Sequence, residues 1–436
     1  VRGKFHLLGC HGLLGAGLVL CGANSAKAQL IQQYFPANIP GYSADFSSSV
    51  ITRMNTQNQT DGIEVGDFII RPLISETAGY NSNVLGTASS GSSSVDTTAA
   101  VRLNSDWRRD SIGASFRVDD RRYLELPIAN YTNWTAGIGG ALNLGDDTAT
   151  LAYSHLALSL NATEPGVIGV ITPVPYSVDD IRLSYVKLLS RISITPAFEY
   201  QRFVFGRSTG GAMVDYDSID HQNESGTLTT QYNFTPGDAA VLILRTSKAQ
   251  YRLTPGDNYL DIAAFTGLDF RGDGLAQFRA LLGLERRSFS AASSATVTTP
   301  TFELDVVWTP TELDTVTATA VRRQDDTTSP FAHNQIMTHG AVEFDHELRT
   351  NVFLRADAGG GKSESQSGAT LGAQSQTQLS LGVSAIWNIN RNLRGTLSYG
   401  YNHSAATGPA SSISGAGFGY STFTSHTVMF GISLLE

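Results

Sequence analysis

Arg117, Asp119, Asp120, Arg121 and Arg122 put five ionisable groups into six consecutive positions. So dense a cluster can do one of three things. It can hold or repel a charged solute, pair internally, or sit solvated at a surface. Elsewhere charges recur in one phase of the alternating segments: Arg102 and Asp106, Arg182, Glu199, Arg279 and Glu285, Glu303 and Asp305, Arg355, Arg394. Asn104, Gln201, Gln231 and Asn402 fall in the same phase. Guanidinium, amide and hydroxyl groups on one face can hydrogen-bond hydrated solutes without a dry pocket, and rings of charge are a usual origin of ion selectivity. The alternative is that Arg and Asp/Glu on adjacent segments pair and stiffen the wall. Alternation alone leaves both open.

Other motifs carry less. Ala356 to Ser363 fits a relaxed phosphate-loop pattern, but Glu364 to Gly368 follows it instead of the helix whose N-terminus would hold phosphate. No H-E-x-x-H or G-x-S-x-G occurs, and the neighbouring Ser425 and His426 would point to opposite faces of a strand. Both cysteines, Cys10 and Cys21, precede a candidate cleavage site. No metal, cofactor or catalytic residue is therefore expected.

These groups need elements to position them. In the run from Phe302 to Trp308, Phe302, Leu304, Val306 and Trp308 face one way and Glu303 and Asp305 the other; after a turn, Val316, Ala318 and Ala320 alternate with threonines. A period of two marks strands with unlike faces. Short turns are expected near Arg108–Asp110, Gly145–Asp147, Leu188–Arg191, Thr235–Asp238, Arg271–Gly274, Thr309–Asp314, Asp345–Thr350 and Asn388–Asn392. With a first strand near Gly66 to Tyr80 and a last near Thr422 to Leu434, about eighteen strands result (sixteen to twenty). Longer polar loops are expected over Asn81–Asp96, Asp119–Tyr131, Asn161–Ser177, Gly206–Asp220, Gly359–Gln376 and Ser404–Ser421. Trp107, Phe234, Phe270, Trp308, Phe344 and Trp387 each precede a short turn, as an aromatic girdle at a lipid–water boundary would.

Arg2, Lys4 and His6 precede an apolar run from Leu7 to Cys21, and Ala26-Lys27-Ala28 follows. That is the pattern of a secretory signal peptide over residues 1–28. Residues 29–65 are rich in Gln, Asn, Ser and Pro, with Tyr34-Phe35-Pro36 as their apolar knot. They are expected to be an irregular periplasmic leader, disordered or tucked into the barrel mouth, and residues 66–436 the barrel. Charged residues make up 16%, and loss of Arg2, Lys4 and Lys27 takes the net charge from −9 to −12, which excludes a nucleic-acid-binding surface. An exported chain of two-faced strands implies an all-β, transmembrane antiparallel β-barrel in a bacterial outer membrane, with short periplasmic turns and longer extracellular loops.

The stretch from Gly62 to Pro72, followed by Gly79-Tyr80-Asn81-Ser82-Asn83-Val84, resembles the start of a family of outer-membrane β-barrel porins whose members are often associated with exopolysaccharide export or assembly loci. Asn81 stands where the family tends to have Asp, and the closing strand (Val428, Phe430, Ile432, Leu434) lacks a terminal aromatic. The resemblance implies a channel for hydrophilic solutes, linked to exopolysaccharide export. Expected partners are outer-membrane lipid and lipopolysaccharide, the barrel assembly machinery, exopolysaccharide and periplasmic export components. A plugged, non-conducting structural barrel contacting surface polysaccharide, or an outer-membrane lipid hydrolase, are the alternatives.

Overall fold

The computed structural model describes residues 34–36, 39–42, 50, 54, 60–86, 90–164, 167, 170–206, 216–271, 275–291, 295–327, 332–367, 374–407 and 422–436. The expected signal peptide lies outside these. The strands are β1 (Ile63–Val65), β2 (Phe68–Asn81), β3 (Ser92–Ser105), β4 (Ser111–Tyr123), β5 (Tyr131–Leu144) and β6 (Asp147–Leu160). They continue as β7 (Val174–Leu188), β8 (Ile192–Phe205), β9 (His221–Thr235), β10 (Asp238–Tyr251), β11 (Tyr259–Phe270), β12 (Ala276–Phe289) and β13 (Val297–Thr311). The last are β14 (Asp314–Asp325), β15 (Ala332–Arg349), β16 (Val352–Ser367), β17 (Gln374–Asn388), β18 (Leu393–Thr407) and β19 (Phe423–Leu435).

Every strand from β2 to β19 pairs antiparallel with its sequence neighbours. β19 returns to β2, with Val428 opposite Tyr80 and Phe430 opposite Ala78. Among the described residues eighteen strands thus form a closed antiparallel barrel, which leaves no open edge in the membrane. At the seam a Cβ on Gly79 would lie 2.1 Å from the Val428 carbonyl oxygen, so this contact requires glycine.

Alternation sorts the faces. Leu142, Leu151, Leu242, Leu244, Leu282 and Leu284 point outward and are exposed, whereas Ser75, Thr98, Thr135, Asp261 and Thr299 point inward and are buried. The eight expected turns all fall on one rim, and several are tighter than the sequence suggests. β15 continues to Arg349 and β13 to Thr311, leaving two residues for each turn. Part of the turn after Phe270 lies outside the described residues. Phe234, Trp308, Phe344 and Trp387 stand exposed along this rim; Phe270 packs between Phe234 (5.8 Å) and Phe278 (4.6 Å), and Trp107 packs edge-on against Phe68 (5.7 Å).

The other rim departs from expectation. β3 begins at Ser92, β16 runs to Ser367 and β17 starts at Gln374, all inside stretches that read as loops. These strands have 14 to 16 residues, against the ~9–11 that cross a bilayer. Beyond the hydrocarbon both faces meet water, so the apolar phase disappears while pairing continues. The phosphate-loop lookalike is part of β16. The first strand also begins later than expected: Gly66 (φ 62°) turns the short β1 back onto β2, with Val65 opposite Phe68.

Candidate functional site: the lumen wall and the leader docked in it

The strand pleat divides the charge cluster of β4. Arg117, Asp119 and Arg121 point inward with Tyr123, while Asp120 and Arg122 point outward in phase with Phe116. A single ring of five is therefore not formed, because neighbours in a strand face opposite sides. Outside, Arg122 pairs with Asp120 and donates to Thr132 Oγ1 (3.0 Å). Inside, Arg117 holds Asp119 through two hydrogen bonds of 2.6 Å, and Arg121 Nε donates to Asp96 Oδ1 (2.7 Å).

Most of the other expected lumen residues point inward and are cross-linked. Arg182 bridges Asp180 (3.0 Å) and Glu199 (2.9 Å). Arg355 joins Glu343 (2.8 Å) to Asp345 (2.7 Å). Glu285 accepts from the Gln324 backbone N–H (2.9 Å), and Arg394 Nε donates to Asn388 Oδ1 (2.7 Å). Arg279 stands in register with Asp269 on one side and Asp305 on the other, with Glu303 two residues along the same face. Arg102 lies opposite Arg71. Asp106 sits in the turn after β3, where its N–H donates to the Asp67 carbonyl, and belongs to the rim. For many of these residues the wall-stiffening reading describes the geometry.

The leader is the part that alternation did not reveal. Its described residues among positions 34–54 lie against the inner wall, whereas Ile63–Val65 form the exposed β1. Phe35 and Tyr42 stack on each other (5.3 Å), and the Arg182 guanidinium lies 4.4 and 4.6 Å from their ring centres. The Tyr42 hydroxyl donates to Asp180 Oδ1 (2.6 Å), whose other oxygen accepts from Gln201 (2.9 Å). The wall is cut back to receive this segment: a Cβ on Gly137 would meet Pro36 at 2.7 Å, one on Gly139 the Pro40 carbonyl oxygen at 2.1 Å, and one on Gly113 Ile39 at 3.0 Å. Around it, Ile39, Leu156, Leu158, Val174, Val178 and Phe205 join one apolar cluster inside the barrel.

A second contact lies across the ring. Val50 and Met54 pack with Phe353 of β16 and Ile386 of β17, and the Val50 N–H donates to Thr315 Oγ1 (2.9 Å). From β7 to β16 is nine strands of eighteen, so the leader is held at two opposite points of the wall.

Loop residues close over the first contact at the long-loop rim. Glu164, half-exposed but set among protein atoms, has its carboxyl raised to about 7 by desolvation, against the lowering effect of the Asn161 amide (2.7 Å). Burial pushes the Tyr34 phenol up as well. Just beyond β14, desolvation opposes ionisation of Asp326, but His221, Arg287 and Tyr259 outweigh it and hold its carboxyl well below the usual range. On the outer wall, His155 Nδ1 meets Asp179 (2.8 Å), although among the described residues no serine hydroxyl bonds His155. His426 bonds Tyr399 (2.9 Å) outside while Ser425 is buried inside.

Two solved structures are similar in overall course. OccAB3 of Acinetobacter baumannii is 10% identical, with 85% of this chain and 100% of that one covered and a TM-score of 0.47. OccK2 (OpdF) of Pseudomonas aeruginosa is 10% identical, with 86% and 99% covered and a TM-score of 0.47. No curated protein matches the sequence. A family model described as "Putative beta-barrel porin 2" matches residues 58–421, which takes in most of the barrel. The chain belongs to this β-barrel porin family, and its closed eighteen-stranded wall is a porin-like outer-membrane channel fold.

Proposed function

We propose that the protein is an outer-membrane conduit for hydrated polar solutes, with exopolysaccharide as its cargo, and that the docked leader narrows its lumen. One observation carries the reading: the two halves of the inner wall differ. The half around β6 to β8 is packed with apolar residues and the leader. Across the closing seam, the inward phase of β17, β18, β19, β2 and β3 includes Gln376, Ser380, Ser384, Ser398, Asn402, Ser425, Ser433, Ser75, Thr77, Ser94 and Thr98, with the apolar Ile386, Phe423 and Met429 spaced among them. An arc of hydroxyl and amide groups suits water and sugar hydroxyls, and barrels of about sixteen to eighteen strands are wide enough to keep an aqueous path. The polysaccharide cargo rests on the family resemblance of the first strands.

The same leader favours a second reading, a closed barrel with a structural role at the cell surface. Swelling of liposomes carrying the refolded protein separates the two. Uptake of sugars that falls with increasing oligosaccharide length supports the conduit. A heat-modifiable, folded barrel that admits no sugar supports the structural role. The outward positions above the apolar belt, among them Arg122, Arg202, Lys248 and Lys362, are the groups proposed to meet lipopolysaccharide headgroups.

A further inference from the structure

We infer that the lumen is electrically polarised: cations, and the cationic groups of a solute, pass along β11 to β13, and anionic ones along β2 to β4. The inference rests on the conduit reading and adds a charge preference to each side of it. On β2, β3 and β4 the inward phase carries Arg71, Arg102, Arg117 and Arg121 against Asp96 and Asp119. On β11, β12 and β13 it carries Asp261, Asp269, Glu285, Glu303 and Asp305 against Arg279 and Arg287. The first face is net basic and the second net acidic. β11, β12 and β13 stand nine strands of eighteen from β2, β3 and β4, so the two faces oppose each other across the lumen. Between them, β5, β6, β17 and β19 present no inward charge among the described residues. The acidic side continues beyond β13, where Glu343 and Asp357 are direct partners and Arg355 pairs with Glu343.

Pairing does not erase this polarity. Arg117 holds Asp119, Arg121 holds Asp96 and Arg287 holds Asp261, but a pair within one face leaves the net charge of that face unchanged. The polarity therefore requires no group to lack a partner. Nor do the two faces cancel each other. Eighteen strands about 4.8 Å apart make a ring about 27 Å across before tilt widens it. Physiological salt screens charge over about 8 Å, so each face governs the ions near it. Along a low-dielectric wall, a face of one sign gathers counter-ions and turns away ions of its own sign.

Two neutral positions can report the two faces. Thr319 on β14 is inward and exposed, with Asp305 as its direct partner. Ala100 on β3 is inward and half-buried, with Arg117 as its direct partner. Thr319→Cys and Ala100→Cys are made separately in the full chain carrying Cys10→Ser and Cys21→Ser, and refolded in detergent. Each is reacted with a cationic and with an anionic methanethiosulfonate reagent, and the rates are referred to those of a free thiol. At low salt the cationic-to-anionic rate ratio should be at least about tenfold higher for Thr319→Cys than for Ala100→Cys. The two ratios should converge at about 1 M salt, where screening reaches only about 3 Å. Adding Glu303→Gln and Asp305→Asn should lower the ratio for Thr319→Cys several-fold and leave that for Ala100→Cys unchanged. Equal ratios at the two positions overturn the inference, as does a Thr319→Cys ratio that ignores the loss of both acids. Protection of either thiol from both reagents also overturns it, because solutes would not reach that face. The reaction needs no current, so its outcome is separable from the conduit reading. A polarised barrel that admits no sugar loses the conduit, whereas one that takes up sugar with equal ratios loses only the polarity.

Discussion

The most informative single contact is the Tyr42 hydroxyl on Asp180, which ties a segment without secondary structure to a strand 138 residues away. Hydrogen bonds to charged groups contribute about 1.5–3 kcal/mol, so Tyr42→Phe should loosen the leader without unfolding the barrel. The expected outcome is faster protease cleavage in the leader at unchanged heat-modifiability on gels. Gly139→Val goes further. Valine suits a strand, but its Cβ would occupy the place of the Pro40 carbonyl oxygen, so the barrel should assemble with the leader displaced. Spin labels on the leader should then report a mobile segment. Residue-level legibility was uneven for a physical reason. Arg182 and Glu199 were readable as inward because a period of two assigns every strand residue to a face. Asp120 and Arg122 were grouped with Arg117 because closeness in sequence was taken for closeness in space. Tyr42 carried no signal at all, since its role depends on a wall more than a hundred residues distant.

Among the elements, the loop after β6 offers a pH test. The Glu164 carboxyl is raised from an ordinary 4.5 to about 7. The folded loop therefore binds its proton more tightly than the unfolded chain does. The contribution to stability is complete below about 4.5 and is lost as pH rises towards 7. Hydrogen exchange in residues 160–164 should accordingly speed up between pH 5 and about 7.5, and Glu164→Gln should remove that dependence. A pH-independent exchange rate in the parent would refute the assignment. At this scale the short-turn rim was readable because one face stays apolar up to the aromatic residues beside the turns. The long-loop rim was not. Ser92 to Asp96 and Gly359 to Ser367 are strands whose two faces are both polar, and hydropathy cannot distinguish such a strand from a loop.

For the molecule as a whole, closure and crowding act against each other. Eighteen strands make a wall wide enough for water, while the leader, loop residues and apolar inward side chains crowd it around β6 to β8 and the leader touches it again at β16 and β17. The second leader contact can be weakened separately. Met54→Ser should free that end from Phe353 and Ile386 and raise conductance modestly, with the contact at Tyr42 still in place. The alternation of faces was enough to recover strand number and the inward and outward phases of the strands. It could not disclose the state of the lumen, because what fills a barrel is tertiary packing of a segment outside the repeat. The central claim is that a polar water path exists and that the docked leader narrows it. Single-channel conductance in planar bilayers, parent against Gly139→Val, tests it most directly. We predict small, steady openings for the parent and several-fold larger ones for the variant. Equal conductance from two correctly folded barrels, or none from either, would contradict it.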